Sequence, residues 1–378
     1  MHICTNAFKR WAAALALTAA ASGTMAQDIS VVQIAPFSLP AIHEPAEVRE
    51  GIEACLEQTN RNGGVRGHKI VLTALDDQLS GPVFMTRFHE AMAKHPLAML
   101  VPVGSAELGA LFASKALDTS DIVVIGAIPG AEAFRQPGHA KLFHIRAGDK
   151  AQLERILIHS KTLGIQRVHV LYQDVAIGQS GLAVLQAAAK QMGGLTISST
   201  VSANNPAALR DAAHQAGAAA AQVYVVLGFP QFMADALAQL RDAGVNQSVF
   251  ALGYLSPVLA AKAAGLKGVR GLGLPQVIPN PNGRSLPIQR DFQTAMQQSP
   301  VHAKQYTSFQ LEGCIAARVL VEGLRRVNGT PTPSALAKSL HTMGEIDLGG
   351  FHIHFGEGQI GSTWTDIGIV SESGKLMF

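Results

Sequence analysis

The stretch GIEACLEQTNRNGGVRGHKIVLTALDD, residues 51–77, decides the fold class of this chain. Its first part has apolar residues at helical spacing, and the glycine pair Gly63-Gly64 that follows is typical of the end of a helix. Its last part, residues 70–75, is an apolar run typical of a buried strand. With the β-rich run at residues 29–35, this stretch makes a strand–helix–strand unit and predicts a parallel sheet covered by helices.

The alternation of strands and helices continues through most of the chain. Strand patterns at residues 98–103 and 122–126 end a first run, and a second run restarts at residue 142 and reaches a strand at residues 249–252. One open sheet of about ten or more strands is uncommon. The sequence therefore predicts an α/β protein of two lobes, each built on a doubly wound parallel sheet.

Three chain crossings are predicted to join the two lobes. They lie near Arg146, at the proline- and asparagine-rich residues 275–282, and near Ile346. Three short crossings would let the lobes rotate as rigid bodies about a hinge. The predicted organisation is a leader at residues 1–26, a first lobe at residues 27–146 and 279–345, and a second lobe at residues 147–278 and 346–378.

Composition narrows the class of protein. Of the 378 residues, 48% are hydrophobic and 15% are charged, and the formal net charge is +3. So small a charged fraction excludes a disordered chain, and the near-neutral balance gives no reason to expect a nucleic-acid partner. The three cysteines are too few for a small protein framed by disulfides.

Residues 1–26 have the layout of a secretory signal peptide. Lys9 and Arg10 precede an apolar segment, and small residues then lead to a predicted cleavage site between Ala26 and Gln27. The apolar segment is about 11 residues long, whereas a membrane-spanning helix needs roughly 20. The sequence therefore predicts export to the periplasm and no membrane insertion of the mature chain.

Two cysteines remain after the leader, and both lie in apolar patterns of helical spacing. An oxidising compartment permits a bridge between Cys55 and Cys314. Because the sequence alone does not bring the pair within bridging distance, we favour the alternative of two separate buried thiols that pack as small apolar side chains.

The sequence contains no complete catalytic motif. The chain has no phosphate-binding loop and no dinucleotide fingerprint after its first strand. The segment GQSGL, residues 178–182, resembles a nucleophile elbow, but its second glycine comes one position early, which favours a plain helix start. His352 and His354 would share one strand face without a third metal ligand. Asp76 and Asp77 would point to opposite faces, which favours a role in a turn. We predict no enzyme activity, no cofactor and no metal.

The loops that follow the first-lobe strands are the predicted place for a ligand, because open α/β sheets bind ligands beyond the carboxyl ends of their strands. These loops are residues 36–42, 103–107 and 127–130. Ser105, at the start of a predicted helix, would offer a hydroxyl group and free backbone N–H groups to a carboxylate. The alternative is that Ser105 only caps the helix.

The mature chain, residues 28–378, resembles the type I periplasmic solute-binding proteins of the branched-chain amino acid (Leu/Ile/Val) transport family. The resemblance lies in the turn GGVRG at residues 63–67, the acidic pair that ends the second strand, the helix start at residues 178–181 and the late helical run at residues 310–324. It implies a clamshell that captures a small-molecule ligand and delivers it to the membrane permease of an ABC transporter.

The resemblance also implies ligand contacts at the strand ends of both lobes. The predicted ligand-binding residues are Ser38, Ser105, Ala106, Ala127, Gly130, Phe229 and Tyr254. In the amino-acid binders of the family an acidic side chain pairs with the α-ammonium group of the ligand, and the matching position here is Tyr254. Because a buried ammonium without a partner is costly, we expect an organic acid, aromatic acids included, rather than leucine.

Two other functions stay open from the sequence. A sensor that binds a solute and reports to a membrane partner would use the same fold, because fold alone does not fix function. An exported hydrolase would need a nucleophile or a metal site, and the sequence shows neither.

Overall fold

The structure is a computed structural model that describes residues 27–39, 42–300 and 306–378. The predicted leader, residues 1–26, lies outside these residues. Within them the chain forms two large, separate sheets, which confirms the predicted two-lobed α/β fold. None of the helices in the described ranges combines the length and the apolar character that a membrane span requires.

The strands of the first sheet come from the N-terminal part of the chain. Its elements are β1 (Ile29–Ala35), α1 (Glu44–Arg61), β2 (Ile70–Asp76), α2 (Gly81–Met92), β3 (Ala98–Leu100), α3 (Ser105–Ala113), α4 (Ala116–Thr119), β4 (Val123–Ile125) and β5 (Leu142–Phe143). The strands are parallel, in the order β2-β1-β3-β4-β5. Val31 and Val32 of the interior strand β1 lie in core clusters on opposite faces, as expected for a strand covered on both sides.

The second sheet follows directly along the chain. Its elements are α5 (Asp149–Thr162), β6 (Arg167–Gln173), α6 (Ala176–Met192), β7 (Thr196–Ser202), α7 (Pro206–Gly217), β8 (Val223–Leu227), α8 (Pro230–Asp242), β9 (Ser248–Ala251), α9 (Pro257–Val269) and β10 (Gly273–Gln276). These strands are parallel to their neighbours. Two late strands extend the sheet antiparallel at one edge.

The remaining elements complete both lobes. They are α10 (Pro287–Gln297), α11 (Ser308–Arg326), α12 (Pro333–Thr342), β11 (Glu345–Asp347), β12 (His352–His354), β13 (Asp366–Val370) and β14 (Leu376–Met377). Leu311, Ile315 and Leu320 of α11 belong to the same core cluster as Val31, so α11 covers the first sheet. The second sheet has the final order β14-β13-β10-β9-β8-β6-β7.

The turn after α1 shows why the opening stretch folds as predicted. Gly63 and Gly64 have φ angles of 92° and 68°, a region that favours glycine. A Cβ atom on Gly64 would collide with the carbonyl of His68. The Asn60 side chain then donates to the carbonyl of Ile70 and accepts from its N–H, both at 2.8 Å, which fixes the end of the helix to the start of β2.

The expectation of two separate thiols is wrong, because Cys55 of α1 and Cys314 of α11 form a disulfide with a Cα–Cα distance of 5.3 Å. Two glycines explain the approach. A Cβ atom on Gly51 would collide with the carbonyl of Gln310, and one on Gly313 would collide with the carbonyl of Val48. The helices therefore touch backbone to backbone, at a separation that sequence spacing does not reveal.

The crossings between the two lobes can be placed from the core clusters. Ala147 still packs in the first-lobe core, whereas Leu153 packs in the second. The chain returns between β10 and Val277, which again belongs to the first-lobe core. Ile346 and Phe355 also pack there, while β13 joins the second sheet. The chain therefore passes to the second sheet between Phe355 and β13, later than the predicted position near Ile346.

Candidate functional site

The loop between β3 and α3 presents backbone donors at the carboxyl edge of the first sheet. Gly104, with a φ angle of 99°, is the N-cap of α3, and Ser105 is the first helical residue, with no capping bond from the residue before it. The alternative that Ser105 only caps the helix is therefore not supported, because Ser105 follows the N-cap position. Ser105 and Ala106 are both exposed. Since the first N–H groups of a helix have no intrahelical acceptor, they are free to bind an anion.

Two buried carboxyl groups lie beneath this loop. Asp77 and Glu107 are almost fully buried, and one oxygen of each, Asp77 Oδ2 and Glu107 Oε1, has no hydrogen-bond partner among the described residues. Glu107 folds back toward Gly104, where a Cβ atom would collide with its carboxylate. Burial, the neighbouring Glu107 and Asp76 raise the pKa of Asp77 to about 7.

The pKa of Asp76 is shifted in the opposite direction to that of Asp77. Its Oδ1 accepts the backbone N–H groups of Phe37 at 2.8 Å, Ser38 at 3.2 Å and Gln78 at 3.3 Å. Burial opposes ionisation, but the hydrogen bonds from Ser38, Phe37 and Gln78 outweigh it and lower the pKa of Asp76. The predicted role of Asp76 in a turn is confirmed, because this carboxylate holds the loop that carries the candidate residue Ser38.

The loop after β4 is buried rather than open. Ala127 and Gly130 are both buried, and the Gly130 carbonyl accepts the N–H of Asp149 at 2.9 Å. A Cβ atom on Gly130 would collide with the Asp149 carboxylate and the Tyr254 hydroxyl. The structure therefore brings the candidates Gly130 and Tyr254 into direct contact, and Gly130 leaves the room that this contact needs.

In the second lobe, buried amide side chains hold the strand-end loops. Gln173, at the end of β6, accepts the N–H of Phe229 at 2.9 Å through its Oε1 atom. Gln152 of α5 accepts the N–H of Gly253 at 3.0 Å in the same way. Phe229 itself is 51% exposed. Neither glutamine was predicted as a site residue, although the position of Gln173 at the end of a strand was a usable signal.

The Tyr254 side chain has its interaction partners within the protein. Its hydroxyl donates to Asp149 Oδ1, and the Arg146 guanidinium carbon lies 5.0 Å from the centre of its ring. Burial and the Asp149 carboxylate raise the pKa of Tyr254 above its ordinary value. The hydroxyl proton is therefore used internally, and Tyr254 offers a ligand its ring rather than its O–H.

Charged side chains around Tyr254 tie the lobes together. Arg146 donates to Glu312 of α11 at 3.1 Å, and the two side chains are 1% and 2% exposed. Arg135 donates through Nη1 to the Arg146 carbonyl at 3.0 Å. Glu312 belongs to the first lobe and Tyr254 follows a strand of the second. The network of Arg135, Arg146, Asp149, Tyr254 and Glu312 therefore sits where the chain first crosses between lobes.

The other chemical motifs do not form a reactive site. In the described ranges, no group of three or more His, Cys, Asp or Glu residues is placed to hold a metal. His352 and His354 are both exposed on β12. Gly178 and Gly181 lie near the start of α6, where Gly181 packs against Leu227, so the GQSGL segment is a helix start, as predicted.

Two α/β lobes, joined by three crossings and with exposed strand-end residues in each, define a two-lobed ligand-binding protein. The chain belongs to the periplasmic binding protein family, whose family model matches residues 29–367.

Individual relatives agree with this assignment. A Leu/Ile/Val-binding protein homologue of Brucella melitensis is 24% identical over 322 residues, which cover 83% of this chain and 83% of that protein. The crystal structure of an extracellular ligand-binding receptor from Verminephrobacter eiseniae has 42% identity and a TM-score of 0.89, and the match covers 93% of this chain and all of that one. A substrate-binding periplasmic protein from Ralstonia solanacearum has 28% identity and a TM-score of 0.82, with 93% and 99% covered.

Proposed function

We propose that this protein is the exported solute-binding component of an ABC importer, and that it captures a small organic acid between its lobes and releases it unchanged to a membrane permease. The observation that carries the proposal is the contrast between the two strand edges. One edge offers free helix N–H groups at Ser105 and Ala106. The other offers the exposed ring of Phe229. Such a pair suits a ligand with a carboxylate at one end and an apolar body at the other.

The charges near the second-lobe edge argue against an amino acid as the cleft ligand. Asp149 accepts the Tyr254 hydroxyl and has Arg146 and Arg135 as neighbours, so its charge is already compensated. The exposed Asp174 accepts the Gln179 amide at 2.8 Å. Asp149, the buried carboxylate that the structure describes at this edge, therefore has no free charge to offer an α-ammonium group, and a buried ammonium without a partner is costly.

A thermal-shift panel tests the ligand class. We expect phenylacetate, 4-hydroxybenzoate and aliphatic monocarboxylates to raise the melting temperature of the mature chain, and leucine and isoleucine to leave it nearly unchanged. A ligand at about 100 times its Kd adds roughly 2.7 kcal/mol to the free energy of unfolding. Strong stabilisation by leucine, with none by the organic acids, would contradict the proposed ligand.

A variant pair assigns the binding to the cleft. Phe229→Ala should abolish most of the ligand-induced shift, because the exposed ring is the proposed apolar contact. Leu163→Ala removes a comparably exposed apolar side chain, 64% exposed, at the end of α5, and should leave the shift intact. Equal loss in both variants would remove Phe229 from the site.

The transport role needs its own measurement. We expect cells that lack the gene to lose uptake of the identified acid, and recovered ligand to be chemically unchanged after incubation with the protein. The Verminephrobacter relative is named a receptor, which favours a sensor as the second candidate function. Normal uptake combined with a lost transcriptional or chemotactic response would establish the sensor instead, and conversion of the bound compound would establish an enzyme.

A further inference from the structure

A second concave site lies at the hinge. It is a groove of about 400 Å³, and its lining residues, which we call the hinge groove, are Glu132, Arg135, Gly148, Lys150, Ala151, Glu154, Arg155, Ile158, Ile360, Thr363 and Thr365. None of the predicted ligand-binding residues belongs to this set. The groove runs along the outer face of α5, beside the first crossing and the segment that leads into β13.

Two arginines of the hinge groove have unused donors. Arg135 is 1% exposed, and its Nε and Nη2 atoms have no acceptor among the described residues, although Nη1 donates to the Arg146 carbonyl. Arg155 donates through Nη2 to Asp366 at 3.1 Å, but its Nε atom is likewise unpaired in the described part of the chain. Buried polar groups are normally paired, so these donors indicate an acceptor supplied by a ligand.

A glycine makes this arrangement of Arg135 possible. A Cβ atom on Gly148 would lie 2.9 Å from both Cδ and Nε of Arg135. Any larger residue would displace the guanidinium group from the groove wall. A Cβ atom there would also lie 2.9 Å from the Gly130 carbonyl oxygen, so the glycine leaves room for the Arg135 side chain and for this backbone approach.

The groove carries both signs of charge. Arg155 is neutralised by Asp366, which leaves Arg135 and Lys150 as cations and Glu132 and Glu154 as anions. A simple anion would be repelled by the two glutamates, and a simple cation would leave the arginine donors unpaired. Glu132 lies close to both Arg135 and Lys150, and a ligand that carries a carboxylate and an ammonium group would complement both sets of charges.

We propose that the hinge groove binds a small zwitterion, such as an aliphatic α-amino acid, with its carboxylate at Arg135 and Lys150 and its ammonium group at Glu132 and Glu154. Ala151, Ile158 and Ile360 provide apolar surface for the side chain of the ligand. The cleft and the groove thus differ in the charge that they accept.

A ligand in the groove would bridge moving parts. The backbone of His144 pairs with the segment after β12, since His144 N donates to the Gln359 carbonyl at 2.9 Å and Gly361 N donates to the His144 carbonyl at 2.7 Å. Two crossings therefore run side by side at the groove, and any change of hinge angle changes its shape. By linkage, a ligand that prefers one hinge angle changes the affinity of the cleft, and the cleft ligand changes the affinity of the groove by the same factor.

The test follows the δ1 methyl signals of isoleucine by NMR in the mature chain, residues 27–378. Ile158 and Ile360 report on the groove. Ile177, in the first turn of α6 after the end of β6, reports on the second-lobe edge of the predicted cleft, and each signal is assigned by an Ile→Val variant. The probes are L-valine, 3-methylbutanoate, which lacks only the ammonium group, and 2-methylpropan-1-amine, which lacks only the carboxylate. We expect L-valine to shift Ile158 and Ile360 saturably, and each half-charged analogue to bind at least roughly fivefold more weakly.

Charge variants check the assignment. Lys150→Met and Glu132→Gln should each weaken L-valine binding at Ile158 and Ile360 by roughly fivefold or more. Lys262→Met, on the exposed side of α9, should have no effect. An absence of saturable shifts, an equal response to 3-methylbutanoate, or insensitivity to both groove variants would overturn the proposal. Because Ile177 reports separately, failure at the groove leaves the proposed cleft ligand untouched.

Discussion

The two halves of the cleft are held in shape by different means. In the first lobe, the loops are held by backbone conformation and by one carboxylate. Gly104 has a positive φ angle, and Asp76 accepts three backbone N–H groups of the surrounding loops. In the second lobe, the side-chain amides of Gln173 and Gln152 accept backbone N–H groups of the loops. The first half is therefore suited to recognise charge through its backbone, and the second to position an aromatic surface.

The largest effect is expected where the two halves join. Arg146→Met leaves the carboxylate of Glu312 buried and unpaired, which costs about 3–5 kcal/mol, and urea denaturation should show that loss. The double variant Arg146→Met/Glu312→Met should recover most of the lost stability, because it removes both buried charges. If the single and double variants are equally unstable, the pair does not act as a charge pair.

The second-largest effect is expected from removal of the disulfide, which joins two helices of the first lobe. Cys55→Ser/Cys314→Ser should lower the free energy of unfolding by about 2–4 kcal/mol, because the bridge joins two helices of the first lobe and closes a very long loop. Hydrogen exchange should accelerate in α1 and α11 far more than in β8, which lies in the other core. Uniform acceleration across both lobes would show that they unfold as one unit.

The acidic pair Asp76-Asp77 sharpens the comparison within the first lobe. The folded pKa of Asp77 is raised from 3.8 to about 7, so its contribution to stability is complete below about pH 4 and is lost as the pH rises to 7. Asp77→Asn should therefore reduce the fall in melting temperature between these values and be more stable than the parent protein at pH 8.

Asp76→Asn is the matched control for this prediction. The pKa of Asp76 is lowered in the folded state, because Ser38, Phe37 and Gln78 donate to its carboxylate. Its ionised form therefore stabilises the fold at neutral pH, and the asparagine variant should be less stable than the parent protein at pH 8. The same sign of change in both variants would contradict the contrast between the two carboxyl groups.

The smallest effect concerns the second-lobe amides. Gln173→Leu removes the acceptor of the Phe229 N–H and should weaken cleft binding by about 1 kcal/mol, roughly fivefold. Gln222→Leu removes a similar amide, which accepts from Gln166 and Arg167 at the other end of β6, and should not change affinity. Titration calorimetry with the identified acid compares the two, and equal affinities in both variants would show that Gln173 has no positioning role.

The parts of this fold that local patterns determine were predictable. The helix that ends at Gly63 and Gly64 and enters β2 follows from glycine conformation and apolar runs alone. The strand β10 was not predicted, because Pro275 indicated a breaker. In the structure β10 pairs with β9 only at Gly273, so the missing N–H of Pro275 falls where that ladder has ended.

The candidate site was less accessible from the sequence. Position after a strand identified Ser105 as a candidate, and the family resemblance identified Phe229. The ties of Tyr254 to Asp149 and of Arg146 to Glu312, by contrast, join segments far apart in the chain. The disulfide was missed for the same reason. Such pairings depend on how closely two backbones approach, which in this protein is set by Gly51, Gly130 and Gly313.

The bridge between Cys55 and Cys314 has a consequence for how the molecule is assembled. Its two halves are 259 residues apart, and β6 to β10 all lie between them. Because synthesis begins at the N-terminus, all the parallel strands of the second sheet are made before Cys314. The first lobe is therefore the last to be closed covalently, and Cys55 of α1 stays a free thiol until Cys314 has been synthesised.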